Sequence, residues 1–181
     1  MKTRVLTLSV LTLLLVLAAC SPASEPTPPP SATPAADKAP SAEMISGTWA
    51  INISKSTYSP ANLAPKSGTT VMQATSDSIH VMTDGVDSKG RKTHTDYTAS
   101  FSGPGVPTNG TVDGKPNPDA DGAVWKKIDD HTFEISNTLK GQTMTTTRIA
   151  VAHDGKSRTN TVTGKNAQGQ AVSNTVVMEK Q

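Results

Sequence analysis

"RKTHTDYTASF", residues 91 to 101, decides the fold class. Two-residue alternation places Thr93, Thr95, Tyr97, Ala99 and Phe101 on one side and Lys92, His94, Asp96 and Ser100 on the other. That is a strand with one covered and one wet face; a helix would repeat its apolar residues every three or four positions. The β-branched and aromatic residues of the covered face also suit a pleated surface.

The same alternation continues on both sides of this stretch. Upstream, residues 47–54 align Trp49, Ile51 and Ile53, and 68–75 and 78–84 follow, the latter with Ile79, Val81 and Thr83 together. Downstream, a weak strand at 106–112 leads to stronger ones at 122–128, 131–138, 142–153, 157–165 and 170–180. Ten strands are therefore expected, and the 21 threonines among residues 45–181 agree with that count. Turn signals separate them: "DG" at Asp84, Asp113, Asp121 and Asp154, "DSKG" at 87–90, "KG" at 140–141 and "NAQG" at 166–169. Such short connections pair sequence neighbours antiparallel. Pro60 and Pro65 limit the longer connection at 55–68 to one helical turn. The expectation is an all-β domain over residues 45–181, a single antiparallel up-and-down β-barrel of about 8–10 strands. An immunoglobulin-like sandwich is the alternative. Within the domain "GVDSKGRKTHTDY" and "GKNAQGQAVSNTV" echo each other, which reads as one hairpin chemistry used twice.

The chain ahead of the domain has a different character. Lys2 and Arg4 precede a largely apolar run from Val5 to Leu17. Spanning a bilayer takes roughly 20 apolar residues, so this run reads as a signal peptide over residues 1–19. The following "LAAC" resembles the lipobox of bacterial lipoproteins. The resemblance implies cleavage before Cys20 and attachment of acyl chains, palmitate among them, to that cysteine; ordinary secretory cleavage beside an incidental cysteine is the alternative. Under the sorting rule of those lipoproteins, Ser21 in place of an aspartate implies the outer membrane, on its periplasmic side or at the surface, for a Gram-negative cell. In other cells the outer face of the cell membrane is implied. Residues 20–44 hold seven prolines and read as an extended tether.

Cys20 is the only cysteine, so the domain has no internal disulfide. Removing Lys2 and Arg4 with the signal peptide leaves 15 basic residues against 15 acidic ones. A neutral chain with few aromatics lacks the basic stripe and stacking platforms of a nucleic-acid binder. The membrane, through the acyl chains, is the expected partner.

Motifs for catalysis or metal binding are weak. "NPDADG" at 117–122 matches the first half of a calcium loop, but the twelfth position is Ile128 where a bidentate glutamate is needed, so it reads as a turn. His80, His94, His131 and His153 fall on different strands without ligand spacing, and Asp129 and Asp130 point opposite ways if extended. Nucleophile elbow and phosphate-cradling loop are both missing from the sequence. A non-catalytic protein without metal or cofactor is expected.

Gly47-Thr48-Trp49 resembles the glycine-x-tryptophan signature on the first strand of lipocalins and fatty-acid-binding proteins. In those calycin-like barrels the tryptophan plugs the closed end, which implies that Gly47 and Trp49 are architectural. The domain is also similar to a set of uncharacterised exported bacterial proteins that open "GTW", continue through Lys55, Ser56, Tyr58, Ser59 and Pro60, and end "EKQ". The arginine-x-tyrosine pair that fatty-acid-binding proteins carry on their last strand is replaced by Val176 and Met178, and the prolines at 60 and 65 leave no room for their helical lid. Arg148 lies on a strand where that family can carry a second inward arginine, although alternation with Ile149 and Val151 turns it outward. Tyr97, Trp125 and Phe133 are candidate cavity-lining aromatics, with core filling as their alternative use. Two functions follow as expectations: a lipid-anchored barrel that binds a small hydrophobic ligand, or an envelope structural or interaction module with a packed interior.

Overall fold

A computed structural model describes residues 42–181. The signal peptide, Cys20 and the tether as far as residue 41 lie outside the described residues. Twelve strands form: β1 Gly47–Thr57, β2 Ser67–Ala74, β3 Ser78–Val86, β4 Lys92–Ser100, β5 Val106–Pro107, β6 Thr111–Val112, β7 Lys115–Pro116, β8 Gly122–Lys127, β9 Thr132–Leu139, β10 Gln142–Val151, β11 Ser157–Lys165 and β12 Ala171–Lys180. Single 3-10 turns occupy Ala42–Ile45 and Ala61–Leu63. The second lies between Pro60 and Pro65, in the space those prolines leave.

All twelve strands belong to one sheet, ordered β5-β8-β9-β10-β11-β12-β1-β2-β3-β4-β6-β7, so the sandwich alternative is overturned. Every pairing is antiparallel, and the sheet curls until the first and last strands of the chain meet, with Trp49 opposite Lys180 and Ile51 opposite Met178. The two ends of the sheet approach at residues 106–108. There β5 pairs with β8, the Asp96 N–H of β4 donates to the Thr108 carbonyl at 3.3 Å, and the Thr108 N–H donates to the Asp121 carbonyl at 3.1 Å. A barrel-like meander of ten strands results.

Of the two strands beyond the expected ten, one comes from the division of 106–112 and the other is β7, at Lys115–Pro116. Asn109, with φ of 46°, breaks this stretch into β5 and β6. Asp113 and Gly114, at φ of 50° and 74°, then turn β6 back into β7. Two consecutive positive φ values make the tight hairpin turn that "DG" favours. Lys140 and Gly141 do the same between β9 and β10, at φ of 52° and 78°.

The apolar core gathers at one end, where β1, β3, β9 and β11 begin and β2, β4, β8, β10 and β12 finish. Trp49, Ile79, Phe133 and Ile149 are fully enclosed there. Phe101 meets Trp125 and Phe133 at centroid distances of 6.2 and 5.5 Å, the first edge to face. Ordered structure starts earlier than residue 45. In the turn Ala42–Ile45, Ile45, the first residue of the expected domain, is buried and its carbonyl accepts the Trp49 indole N–H at 2.8 Å, while Met44, the last of the expected tether, packs against the core.

A candidate ligand cavity

Above this core a cavity of about 260 Å³ runs through the interior. Alternate residues of six strands line it: Thr70 and Met72 on β2, Val81 and Thr83 on β3, Thr95 and Tyr97 on β4, Ile135 and Asn137 on β9, Thr147 and Ile149 on β10, and Arg158, Asn160 and Val162 on β11. The two-residue spacing is what aims each set inward. Ten of its sixteen lining residues are polar, so the interior is hydroxyl- and amide-rich above an aromatic floor. The Thr83 hydroxyl donates to the Thr70 hydroxyl at 3.1 Å, and the Asn137 amide, also in the lining, donates to Thr145 at 3.1 Å.

Arg158 dominates the electrostatics. Its side chain is 2% exposed. One terminal nitrogen donates to Met72 Sδ at 2.8 Å and the other to Met178 Sδ at 3.0 Å, while Nε has no partner. The guanidinium carbon lies 5.0 Å from the Trp49 ring centroid, a cation–π contact. No carboxylate pairs with it among the described residues, and burial pushes its pKa down from the ordinary guanidinium value to about 9, so it stays charged at neutral pH. Asn160, two residues along the same face, has a buried Oδ1 that is likewise unpartnered. Tyr97 accepts the Trp125 indole N–H at 2.9 Å; burial pushes the phenol up, and that bond offsets the rise in part.

The residues expected to line a cavity divide. Tyr97 lines it. Trp125 and Phe133 do not: both are buried in the aromatic floor. Arg148 is exposed, because Thr147, Ile149 and Val151 occupy the inner face of β10 and turn the intervening residue outward. Gly47 and Trp49 are at the base. Gly47 has φ of 131°, and a Cβ there would collide with the Lys180 side chain, whose Nζ lies 5.2 Å from the Trp49 ring. Arg158 is absent from the residues that sequence reasoning singles out, although a signal exists. Val162 is the sole bulky apolar residue of β11, and its two-residue repeat runs back through Asn160 to Arg158.

The other groups are turn and surface features. In "NPDADG" the Asn117 side chain accepts the Asp119 N–H at 2.9 Å and the Asp121 carboxylate accepts the Lys140 N–H at 2.8 Å. Asp129 accepts the His131 N–H at 2.8 Å, which holds its carboxyl below the ordinary value, and Asp130 pairs with Lys127 at 3.2 Å. His80 pairs with Asp96 at 2.7 Å and His94 with Asp84 at 2.8 Å. His131 and His153, from different turns, meet edge to face at 4.4 Å. Among the described residues no group of three or more histidine, cysteine or acidic residues could hold a metal ion.

A second cavity, of about 390 Å³, lies among the connections at the other end from the aromatic floor, between Tyr58, Asp87, Arg91, Asp119 and Asn166. The segment 117–120 serves both cavities, Asn117 and Ala120 lining the interior one and Pro118 and Asp119 the outer one. No protein-family model matches this chain, and a search of curated proteins finds no significant relative.

Proposed function

We propose that this is an exported lipoprotein whose lipocalin-like or fatty-acid-binding-like barrel holds a small molecule in its interior without altering it chemically. The observation that carries the reading is the interior cavity, whose lining includes a buried guanidinium with no carboxylate partner and an unpartnered Nε, and an amide oxygen that is likewise unpartnered. A barrel merely packed for stability would fill such a site with apolar side chains, since unsatisfied buried polar groups are costly. At about 260 Å³ the cavity is near the lower end of small-molecule sites, which typically start near ~300 Å³. The polar lining favours an amphiphilic ligand over a purely hydrocarbon one. A non-catalytic role is supported by a lining with no carboxylate, histidine or cysteine to act as general base or nucleophile.

The lipobox-like "LAAC" supports anchoring at Cys20, with the proline-rich tract as spacer and the outer membrane as destination in a Gram-negative cell. Native mass spectrometry of the purified full chain, with titration of an environment-sensitive dye, tests the binding reading. A co-purified small molecule or saturable dye binding is expected. If the protein is empty and the dye binds only after unfolding, the reading fails and an envelope interaction module takes its place. Mass analysis of the N-terminal peptide for acylated Cys20 tests the anchor separately.

A further inference from the structure

The sequence echo has a place in the fold. Its two loops, residues 87–90 and 166–169, join β3 to β4 and β11 to β12, and the connection at 58–66 joins β1 to β2. These strands are neighbours in the sheet, in the order β11-β12-β1-β2-β3-β4, so the three connections emerge side by side at the end away from the aromatic floor. Together with Pro118 and Asp119 they enclose the outer cavity of about 390 Å³. That volume falls within the range of small-molecule sites, roughly 300–1,000 Å³.

The loops hold their own backbone, and several side-chain groups around the cavity remain free. Arg91 uses only Nε, on Asp87 at 2.7 Å, and Asn174 uses its oxygen, on the Ser59 N–H at 3.1 Å. Their terminal nitrogens have no partner among the described residues. Lys89 and Gln168, at the same position of the two loops, are exposed with free side chains. The charges of the lining cancel, Lys89 and Arg91 against Asp87 and Asp119. Leu63, Pro65 and Pro118 add carbon surface between these polar groups.

We propose that the outer cavity is a binding site for a neutral sugar, a mono- or disaccharide unit. It is separate from the interior cavity: Asn117 and Ala120 line that one, and the residues between them line this one. An anion would meet Asp87 and Asp119, and a cation would meet Lys89 and Arg91, so a ligand without net charge is favoured. A hydrocarbon would leave the free guanidinium and amide groups without partners. A sugar hydroxyl both donates and accepts, which matches amide side chains that do the same, and its C–H faces suit the proline and leucine surface. An extended peptide is the other neutral class, and it needs a free strand edge. All six strands beneath the cavity are paired on both sides, so that mode is closed here.

The test is an NMR titration of the isotopically labelled full chain with maltose, cellobiose, lactose and N,N′-diacetylchitobiose. Glucosamine and glucose 6-phosphate serve as the cationic and anionic comparisons. Saturable shifts with at least one disaccharide are expected at the amides of 87–91 and 166–170, and weaker binding is expected for both charged sugars. Gln168→Ala, a change at an exposed loop position, should weaken that binding by about fivefold, the value of one net hydrogen bond. The wild-type titration needs no variant. The proposal is overturned if none of the disaccharides shifts these loops, if a charged sugar binds more tightly, or if Gln168→Ala and Lys89→Ala together leave binding unchanged. Dye titration of Gln168→Ala reads the interior cavity separately and is expected to match wild type, so the two sites can fail independently.

Discussion

The guanidinium of Arg158 lies over the indole of Trp49 at 5.0 Å, which joins the base of the barrel to the floor of its cavity. The indole N–H is tied in turn to the Ile45 carbonyl at 2.8 Å. One tryptophan thus holds the incoming chain, fills the base and faces the one buried charge among the described residues.

Truncating that tryptophan should therefore act on all three at once. Trp49→Ala is expected to cost about 3–5 kcal/mol of unfolding free energy by lost burial and cavity formation. Trp49→Phe, which keeps a ring but loses the N–H to Ile45, should cost less. Urea denaturation of both variants checks the order. Equal costs would mean that the ring kept in Trp49→Phe contributes nothing and that the loss lies in the Ile45 bond.

The buried guanidinium makes a stability prediction with a definite sign. A pKa lowered by burial to about 9 corresponds to a penalty on the order of 5 kcal/mol at neutral pH. Against this stands the Trp49 contact, worth up to about 2 kcal/mol. Arg158→Met should then stabilise the empty protein by about 1–3 kcal/mol. Below pH 9 folded and unfolded wild-type chains both keep the proton and the penalty is constant. Between about 9 and the ordinary guanidinium value the folded chain has released it while the unfolded chain still binds it, so wild-type stability rises relative to the variant. Tyr58 and Tyr97, both pushed up by burial, oppose this trend in both proteins and cancel in the difference. Chemical denaturation from pH 7 to pH 11 should show the variant's advantage shrinking; a constant advantage would sink the argument.

How far the sequence can be read depends on whether a property is local. The hairpin echo is an example of what is legible: Asp87 accepts the N–H groups of Lys89 and Arg91, and Asn166 accepts those of Gln168 and Gln170. One short side chain organises each loop through its own neighbours, so residue type and spacing suffice. Strand positions are legible for the same reason, since alternation is written along each segment. Arg158 is only weakly so, because Val162 is the one apolar mark on the inner face of β11 and the burial of that face is set by the strands around it. The pairing of His131 with His153 depends on the register of β9 against β10, which sets Val151 N–H on the His131 carbonyl and is fixed by the bulge between Thr143 and Thr145 as well as by the turn. Alternation places Trp125 and Phe133 on the inner face, where the structure has them. Their depth, floor and not cavity wall, depends on how far along the barrel axis each residue lies.

Tyr97 links floor to cavity, and its hydroxyl is the acceptor for the Trp125 indole N–H at 2.9 Å. Tyr97→Phe leaves that buried donor unpaired and should cost about 1–3 kcal/mol. Replacing both residues, Tyr97→Phe with Trp125→Phe, should cost less than the sum of the single changes, since neither then strands a polar group. A double-mutant cycle by denaturation measures this coupling. Strict additivity would show that the bond is energetically silent.

Gly164 of β11 marks the tightest backbone approach in the sheet. It has φ of 139° and faces Thr145, beside the register shift between Thr143 and Thr145 that bulges β10. A Cβ at Gly164 would run into the Met144 carbonyl and would come within 2.8 Å of Thr145 Cα. Both obstacles are backbone, so no side-chain rotation relieves them. Gly164→Ala is therefore expected to cost about 2–4 kcal/mol through combined strain and steric conflict. Gly141 separates the two contributions. It has φ of 78°, and a Cβ added there would meet nothing within 4 Å, so Gly141→Ala carries only the left-handed penalty, about 1 kcal/mol. Thermal or urea denaturation of the pair should show Gly164→Ala to be clearly the worse. If the two cost the same, the bulge in β10 yields to the added methyl group and the close approach is not a constraint on this barrel.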